Sequence, residues 1–586
     1  MFTPGLLDDA DSTHAEAARE MVVTGDYVTL HVNGVRYLEK APLPYWLVAF
    51  SYKVLGVNEF STRLPMVLSV MLLGALGLCW GRRAFRERAG IYAGLFVYTC
   101  AGVYLFTRVL IPEVLLSLLI AAALYFFLTA LEPQSAAWRW YAGYAMMALG
   151  VLTKGLIALV FPCGAAFFFL LVTGEWRRWQ EFRLFSGLAL FLGIATPWHI
   201  LAGLRNPGTA EHHGFFWFYF VNEHFLRFLG KRYPRDYNKL PATLYWTLHL
   251  VWLFPWSLYL PAAVKTAVQE WRGQRSSSGR TDQSGMRRQS DFASRTRLLC
   301  WILAGVVLIF FAISTNQEYY TFPAYLPLLL LLADGVAQCE RAECEGGVRP
   351  GWLANSAGLL AVIGVAASAM LVVGLWQSRN LRFEADIGNV LAKHDLAMDT
   401  LSTSHMLDLS YASFAALRFP AVLAAVALLV APLASFILRL RRRHYSATWS
   451  LAAGLAVFLV AAHIALVRFG PYLSSKQLAR EIAARARPED KVMIYGDQAF
   501  GSSLLFYLRR PIDLVEGRTT SMWFGSTFAD APKIYLSDAD LQRDWAGSGR
   551  VFLFVPPHQK ARVDGLLPAK FVIAEVSGKN VYSNRP

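Results

Sequence analysis

The chain has 586 residues, of which 55% are hydrophobic and only 17% charged, and its mean hydropathy is +0.37. Soluble proteins carry about 25% charged residues, so this sequence lacks the polar surface to stay in water. Disorder, collagen-like repeats and a disulfide-stapled secreted scaffold are excluded too. A net charge of +15 fits the Lys- and Arg-rich cytoplasmic loops of a membrane protein better than a nucleic-acid surface.

Along the chain, residues 1–20 are acidic and polar, so no cleavable signal peptide is expected there. Asp8, Asp9 and Asp11 put three carboxylates within four residues, followed by His14, Glu16 and Glu20. Such a cluster suits a divalent cation, or a general base whose pKa its neighbours raise. It equally suits the acidic first turn of a helix beside Ser12-Thr13. Next, RYLEKAPLPYW (36–46) breaks the backbone at two prolines ahead of an amphipathic, aromatic stretch fit for a membrane interface.

A spanning helix needs about 20 apolar residues. Twelve such runs follow, near 62–81, 89–107, 113–131, 140–153, 156–174, 184–204, 242–264, 298–315, 320–336, 353–376, 416–438 and 448–468. Arg82, Arg83, Arg86 and Arg88 follow the first run, and Arg177, Arg178 and Arg183 the fifth. Lys265 and seven arginines fill 265–297, and Arg439 and Arg441 to Arg443 follow the eleventh. Strict alternation puts all of these on one side, the cytoplasmic one. The chain then begins in an extracytoplasmic loop, which predicts a thirteenth helix ahead of it. The Ser-, Gly- and Arg-rich segment 265–297 reads as a flexible linker.

Polar residues at the outer helix ends are the ones to weigh, because charge at a membrane boundary is costly. The outer loop NEHFLRFLGKRYPRDYNK (222–239) carries Arg227, Lys231, Arg232, Arg235 and Lys239 where few cations are expected, which points to an anionic ligand. His224 and Arg227, three apart, share one helical face. Three short outer turns add Arg108 with Glu113, Lys154-Gly155, and Asn316 to Tyr320, including Tyr319. None of the six cysteines sits in a zinc or disulfide pattern.

Residues 471–586 change to a soluble pattern. Ser474 and Ser475 are placed to cap a helix through Ala486, and 502–508 reads as a second helix. Strands are expected at 492–496, 533–536, 551–555 and 571–576, the last followed by a hairpin turn at Ser577 to Asn580. No phosphate-binding glycine loop or nucleophile motif appears, so a supporting role is expected. The chain thus divides into a first extracytoplasmic loop (1–61), a helical membrane domain (62–470) and a small extracytoplasmic α/β domain (471–586).

The stretch 15–47, AEAAREMVVTGDYVTLHVNGVRYLEKAPLPYWL, resembles the opening loop of GT-C membrane glycosyltransferases. The branch is that of ArnT-like aminoarabinose transferases and bacterial relatives of protein O-mannosyltransferases. RVLIPEVLL (108–116), LTKG (152–155), PWHILAGLRNPG (197–208), EHFLRF (223–228) and STNQEYYTFPAYLP (314–327) extend the resemblance in order. It covers residues 8–336, and the later helices and tail in architecture only. It implies an all-α polytopic GT-C protein of about twelve membrane helices, or thirteen, with the small α/β domain outside.

The activity implied is inverting transfer of a sugar from a polyprenyl-phosphate donor to a lipid (lipid A-like) or protein acceptor, on the outer face of the inner (plasma) membrane. Glu39 and Lys40 fall at the family's active-site pair. Lys40, Lys154 and Arg227 belong with the donor phosphate, and His14, Tyr37, His224, Tyr319 and Tyr320 line the cavity. Glu113 stands where relatives often carry Asp. In the first loop, relatives read Asp-Glu-x-Arg-Tyr-Ala-Glu. Aligned on Ala15-Glu16, their catalytic Asp falls on Ala10, so Asp9 or Asp11 takes its place by a one-residue shift. Asp11 is preferred as nearer to His14 and to the following helix, with Asp8, Glu39 and Glu113 as further carboxylates. No cofactor is required, and a divalent metal held by Asp8, Asp9 and Asp11 is compatible with the pattern. A lipid or solute transporter and a non-catalytic lipid-binding relative are the other readings. Transporters favour internal repeats and midplane charge, whereas no repeat is seen here and the charges gather at one face.

Overall fold

A computed structural model describes residues 1–209, 213–235, 240–265, 268, 292–345, 351–383, 387 and 413–586. Most of the 265–297 linker, most of the 377–415 loop, and Lys239 lie outside the described residues.

The first loop folds as a unit. Helix α1 (Ala10–Thr24) ends at Gly25, whose φ of 73° gives the left-handed turn that a glycine tolerates. A two-stranded hairpin, β1 (His31–Val32) and β2 (Val35–Arg36), turns at Asn33-Gly34. Helix α2 (Leu43–Leu55) starts directly after Pro42. The first long apolar helix, α3 (Glu59–Phe85), opens with a reciprocal cap. Asn58 Oδ1 accepts from Ser61 N–H at 3.0 Å and Ser61 Oγ from Asn58 N–H at 3.2 Å.

All twelve apolar runs are helical, though not all are single helices. The second divides into α4 (Glu87–Thr99) and α5 (Ala101–Phe106), because Cys100 is extended (ψ 130°) and its Sγ donates to the carbonyl of Trp252. The third to sixth form α6 (Glu113–Ala130), α7 (Trp138–Lys154), α8 (Ile157–Thr173) and α9 (Leu184–Arg205). The seventh, α10 (Ala242–Trp252), continues into Trp256–Lys265 after a 95° bend. Among the described residues, eight helices are long and apolar enough to cross a membrane, or nine if that bent pair is one span. The other runs form broken or shorter apolar helices, such as α4 with α5 and Ile157–Thr173. The apolar stretch of Glu113–Ala130 is 78% buried and that of Glu318–Glu345 94%, so both pack inside the bundle. That of His444–Leu473 is only 22% buried, and a helix with so much apolar surface uncovered belongs against lipid.

Several expected cytoplasmic arginines turn inward. Glu340 accepts from Arg439 at 2.6 Å, Tyr92 at 2.9 Å and Arg88 at 3.2 Å, and Arg297 meets Asp334 at 2.5 Å. These cations tie helices together.

The tail carries a six-stranded sheet in the order β5-β4-β3-β6-β8-β7. Its strands are β3 (Lys491–Tyr495), β4 (Asp513–Val515), β5 (Tyr535–Leu536), β6 (Val551–Val555), β7 (Phe571–Val576) and β8 (Lys579–Ser583), the first four parallel and β8 antiparallel to β6 and β7. The strand at β4 and the helices Asp538–Ala546 and Lys560–Leu566 were not expected from sequence. Ser475 does precede a helix, Lys476–Ala483, but its hydroxyl donates to Asp8 instead of capping.

Candidate active site

A cavity of about 1550 Å³ lies between the first loop, the facing ends of α6 and α7, the turn 314–320 and the tail. Asp8, Asp9, His14, Tyr37, Glu39, Lys40, Glu113, Lys154, His224, Arg227, Tyr319 and Tyr320 all line it, so segments far apart in the chain supply one wall. Asp11 does not reach it.

The cations are held by buried carboxylates. Lys40 Nζ lies 2.7 Å from Glu39 Oε1, and Arg232 spans Glu39 Oε2 (2.7 Å) and Glu223 Oε1 (2.7 Å). Glu223 also meets Arg227 at 2.9 Å, and Arg227 donates to Tyr320 Oη at 3.0 Å. Lys40, Arg227 and Arg232 against Glu39 and Glu223 leave one net positive charge. Lys154, at the end of α7, pairs with Glu113 at the start of α6 and sits over the Tyr320 ring at 4.3 Å. Burial alone raises the Glu39 carboxyl, but Lys40, Arg232 and Arg227 outweigh it and hold it at about 2. Glu223 is raised, by burial and by Glu39. Glu39 and Glu113 are thus both paired with cations, Glu39 with Lys40 and Arg232 and Glu113 with Lys154.

His224 lies in a π-helical segment, Trp217–Leu226, a widened turn typical of functional sites. Its Nδ1–H donates to Tyr219 O at 2.5 Å and its Nε2 accepts from Leu156 N–H at 3.1 Å, which fixes the neutral tautomer. Gly155 explains the LTKG motif. Its φ is 73°, and a Cβ there would lie 2.2 Å from His224 Nε2. His14 is neutral as well: burial and then Lys40 push it down to about 4, and its Nδ1–H donates to Leu110 O at 2.5 Å. The Tyr37 hydroxyl stands 3.3 Å from both His14 Nε2 and Glu39 Oε1.

The three first-loop aspartates separate. Asp11 is wholly buried, accepting from Leu7 N–H at 3.0 Å and Leu110 N–H at 2.8 Å, with Arg63 at 3.7 Å. It pins the loop to the bundle, so the preference for Asp11 as base is reversed. Asp8 is taken by Ser503 (N at 2.9 Å, Oγ at 2.6 Å), Ser475 (2.7 Å) and Lys579 (2.8 Å), all from the tail. Asp8 and Asp9 both line the cavity, and of the two Asp9 is the more exposed. Its side chain is exposed there yet enclosed by protein. Burial, Asp497 and Asp8 raise its pKa to about 6, against the pull of Lys40. The cavity's open space weakens the burial effect, but the upward direction stands because two carboxylates act with it. With Asp8 and Asp11 committed elsewhere, the three do not form a metal cage, and no group of three or more His, Cys, Asp or Glu side chains among the described residues is arranged to hold an ion.

Sequence reasoning did not single out Glu223, Arg232 or Asp497 as site residues. The basic loop 222–239 signalled the first two, whereas nothing local marked Asp497.

A bundle of membrane helices with a carboxylate and a cation cluster facing each other across an outer cavity is the GT-C architecture. Residues 39–200 match the family described as dolichyl-phosphate-mannose-protein mannosyltransferase. The chain is 30% identical over 384 residues to the undecaprenyl phosphate-α-4-amino-4-deoxy-L-arabinose arabinosyl transferase of Edwardsiella ictaluri, 64% of this chain and 63% of that protein. It is 29% identical to the enzyme of the same name from Enterobacter sp. (strain 638), over 57% of this chain and 56% of the relative. These matches therefore span about three fifths of each relative's length. The crystal structure of ArnT from Cupriavidus metallidurans bound to undecaprenyl phosphate superposes with a TM-score of 0.77 at 22% identity, covering 99% of this chain and 94% of that one. By fold and sequence the chain is related to ArnT-like GT-C proteins.

Proposed function

We propose that the chain is an inverting glycosyltransferase that moves a sugar from a polyprenyl-phosphate donor to a lipid acceptor of the lipid A kind, at the outer face of the inner membrane. The observation that carries this reading is the cavity that holds Asp9 together with Lys40, Lys154 and Arg227. The relatives' names specify undecaprenyl phosphate carrying 4-amino-4-deoxy-L-arabinose, and that donor is the one proposed here. The cluster's single net positive charge matches the single negative charge of a phosphodiester donor.

In the reaction, an acceptor hydroxyl attacks the anomeric carbon from the face opposite the phosphate. The carbon–oxygen bond to the phosphate breaks, its electron pair stays on the phosphate, and Asp9 takes the hydroxyl proton. Lys40, Lys154 and Arg227, held in place before the donor arrives, stabilise the phosphate dianion that leaves. The division into 1–61, 62–470 and 471–586 is retained, with the tail outside and the Lys- and Arg-rich loops inside.

The test uses purified full-length protein, labelled donor and lipid A. Asp9→Asn should lower turnover by at least about 100-fold with donor binding kept. Lys40→Ala, Lys154→Ala and Arg227→Ala should each weaken donor binding. Full turnover by Asp9→Asn removes the base assignment, and unchanged donor affinity in all three cation variants removes the phosphate assignment.

A further inference from the structure

We infer that Ser502, in the soluble tail, is a positioning residue that holds the backbone of Asp9 so that its carboxylate faces the cavity. This rests on the reading of Asp9 as the base.

Asp9 has φ 71° and ψ −127°, a combination that a residue with a side chain rarely adopts and that persists only where its surroundings impose it. It stands just before α1, in the position where a capping side chain is usual, yet its carboxylate makes no capping hydrogen bond. The conformation is held from outside the loop. Asp9 N–H donates to Ser502 Oγ at 2.7 Å, and the Ser502 hydroxyl donates to Asp9 O at 3.2 Å. Ser12 Oγ, one turn into α1, lies 2.7 Å from the same oxygen. A single hydroxyl thus engages both backbone polar groups of Asp9.

Ser502 is fully buried and does not line the cavity. Its effect on chemistry must therefore pass through Asp9. The neighbouring residue locks the same junction, since Ser503 donates to Asp8 through both its N–H and its hydroxyl. The Ser502-Ser503 pair begins the short helix Ser503–Leu508. Five residues earlier, Asp497 lines the cavity, its carboxylate fixed by Thr519 Oγ1 at 2.6 Å and Ala499 N–H at 2.8 Å. The tail therefore supplies the fixture for the carboxylate and part of the wall it faces.

The experiment compares Ser502→Ala, Ser502→Thr and Ser12→Ala in the full chain, with donor affinity and thermal melting measured alongside turnover. Ser502→Ala should lower kcat about tenfold, with donor affinity and Tm near wild type, as expected for misplacing a group used in the transition state. Ser502→Thr, which keeps the hydroxyl, should recover most of that loss, and Ser12→Ala should show a smaller loss of the same kind. In an Asp9→Asn background, Ser502→Ala should cost nothing further. The inference is overturned if Ser502→Ala keeps wild-type kcat while Asp9→Asn is inactive, or if its loss persists undiminished in the Asp9→Asn background. A loss that Thr does not relieve, or that tracks a fall in Tm, also overturns it. Full activity of Asp9→Asn alone overturns the base assignment instead, a result visible before Ser502 is changed.

Discussion

Arg232 is the keystone of the cation cluster, and Arg232→Ala is its sharpest test. The side chain is 4% exposed and joins two carboxylates that are 4% and 3% exposed. Glu39 in turn holds Lys40, and Glu223 holds Arg227. Removing one partner of a buried ion pair costs about 3–5 kcal/mol, because the other charge is left uncompensated. Here two carboxylates lose their bridge and the cluster loses its net positive charge. If that cost falls on the phosphate-binding arrangement, kcat/KM should drop by about 10²- to 10⁴-fold. Arg232→Lys should recover only a minor part, since one ammonium cannot reproduce a guanidinium fork spanning two carboxylates. The deficit should shrink as pH falls, because Glu223, already raised by burial and by Glu39, is the first to take up a proton. The assay is sugar transfer by monodisperse detergent-solubilised protein over a range of pH. A kcat/KM within twofold of wild type in folded Arg232→Ala protein would refute the view that this network organises the donor site.

Turnover should rise about tenfold per pH unit below about 6 and level off above it, because Asp9 must be ionised to accept a proton. Asp9→Asn should abolish that limb, whereas His14, held at about 4, contributes nothing to it. The same raised pKa contributes stability below the ordinary carboxylate range that is lost as pH rises through about 6, so Asp9→Asn should flatten the dependence of Tm on pH there. Asp11→Asn should act differently, lowering Tm and expression because it weakens two hydrogen bonds in a sealed site. Normal stability with selectively lost turnover would return Asp11 to the chemistry. Gly155→Ala should abolish donor binding or folding, because the new Cβ meets the His224 ring on a backbone that disfavours side chains. Wild-type behaviour would mean that the contact is not tight. A reporter active only outside the cytoplasm, fused after Pro586, should be active, and activity of a cytoplasmic reporter there instead would reverse the topology.

The membrane class was legible because apolar runs and loop charge are local, additive properties, and all twelve runs proved helical. The strands β3, β6 and β7 were legible for the same reason, being short apolar segments bounded by turn residues. Lys40, Lys154, Arg227 and the aromatic rim could be named because charge at an outer helix end is costly and needs a use. Which carboxylate points where was beyond the sequence. Asp8, Asp9 and Asp11 are nearly equivalent by spacing, and partners about 50 to 570 residues away decide among them. Leu110 and Arg63 take Asp11, and Ser503 and Lys579 take Asp8. Ser502 grips the backbone of Asp9 and leaves its carboxylate open to the cavity. The helix break at Cys100 was hidden likewise, since that segment is apolar throughout and packing sets the bend, whereas Pro255 lies in the break after Trp252 and is itself a helix breaker. The sequence alone determines what is buried and which side is positive, because those follow from transfer free energies of individual residues. Only the tertiary structure decides which buried charge is spent on structure and which is left for chemistry, because that depends on pairing between distant segments.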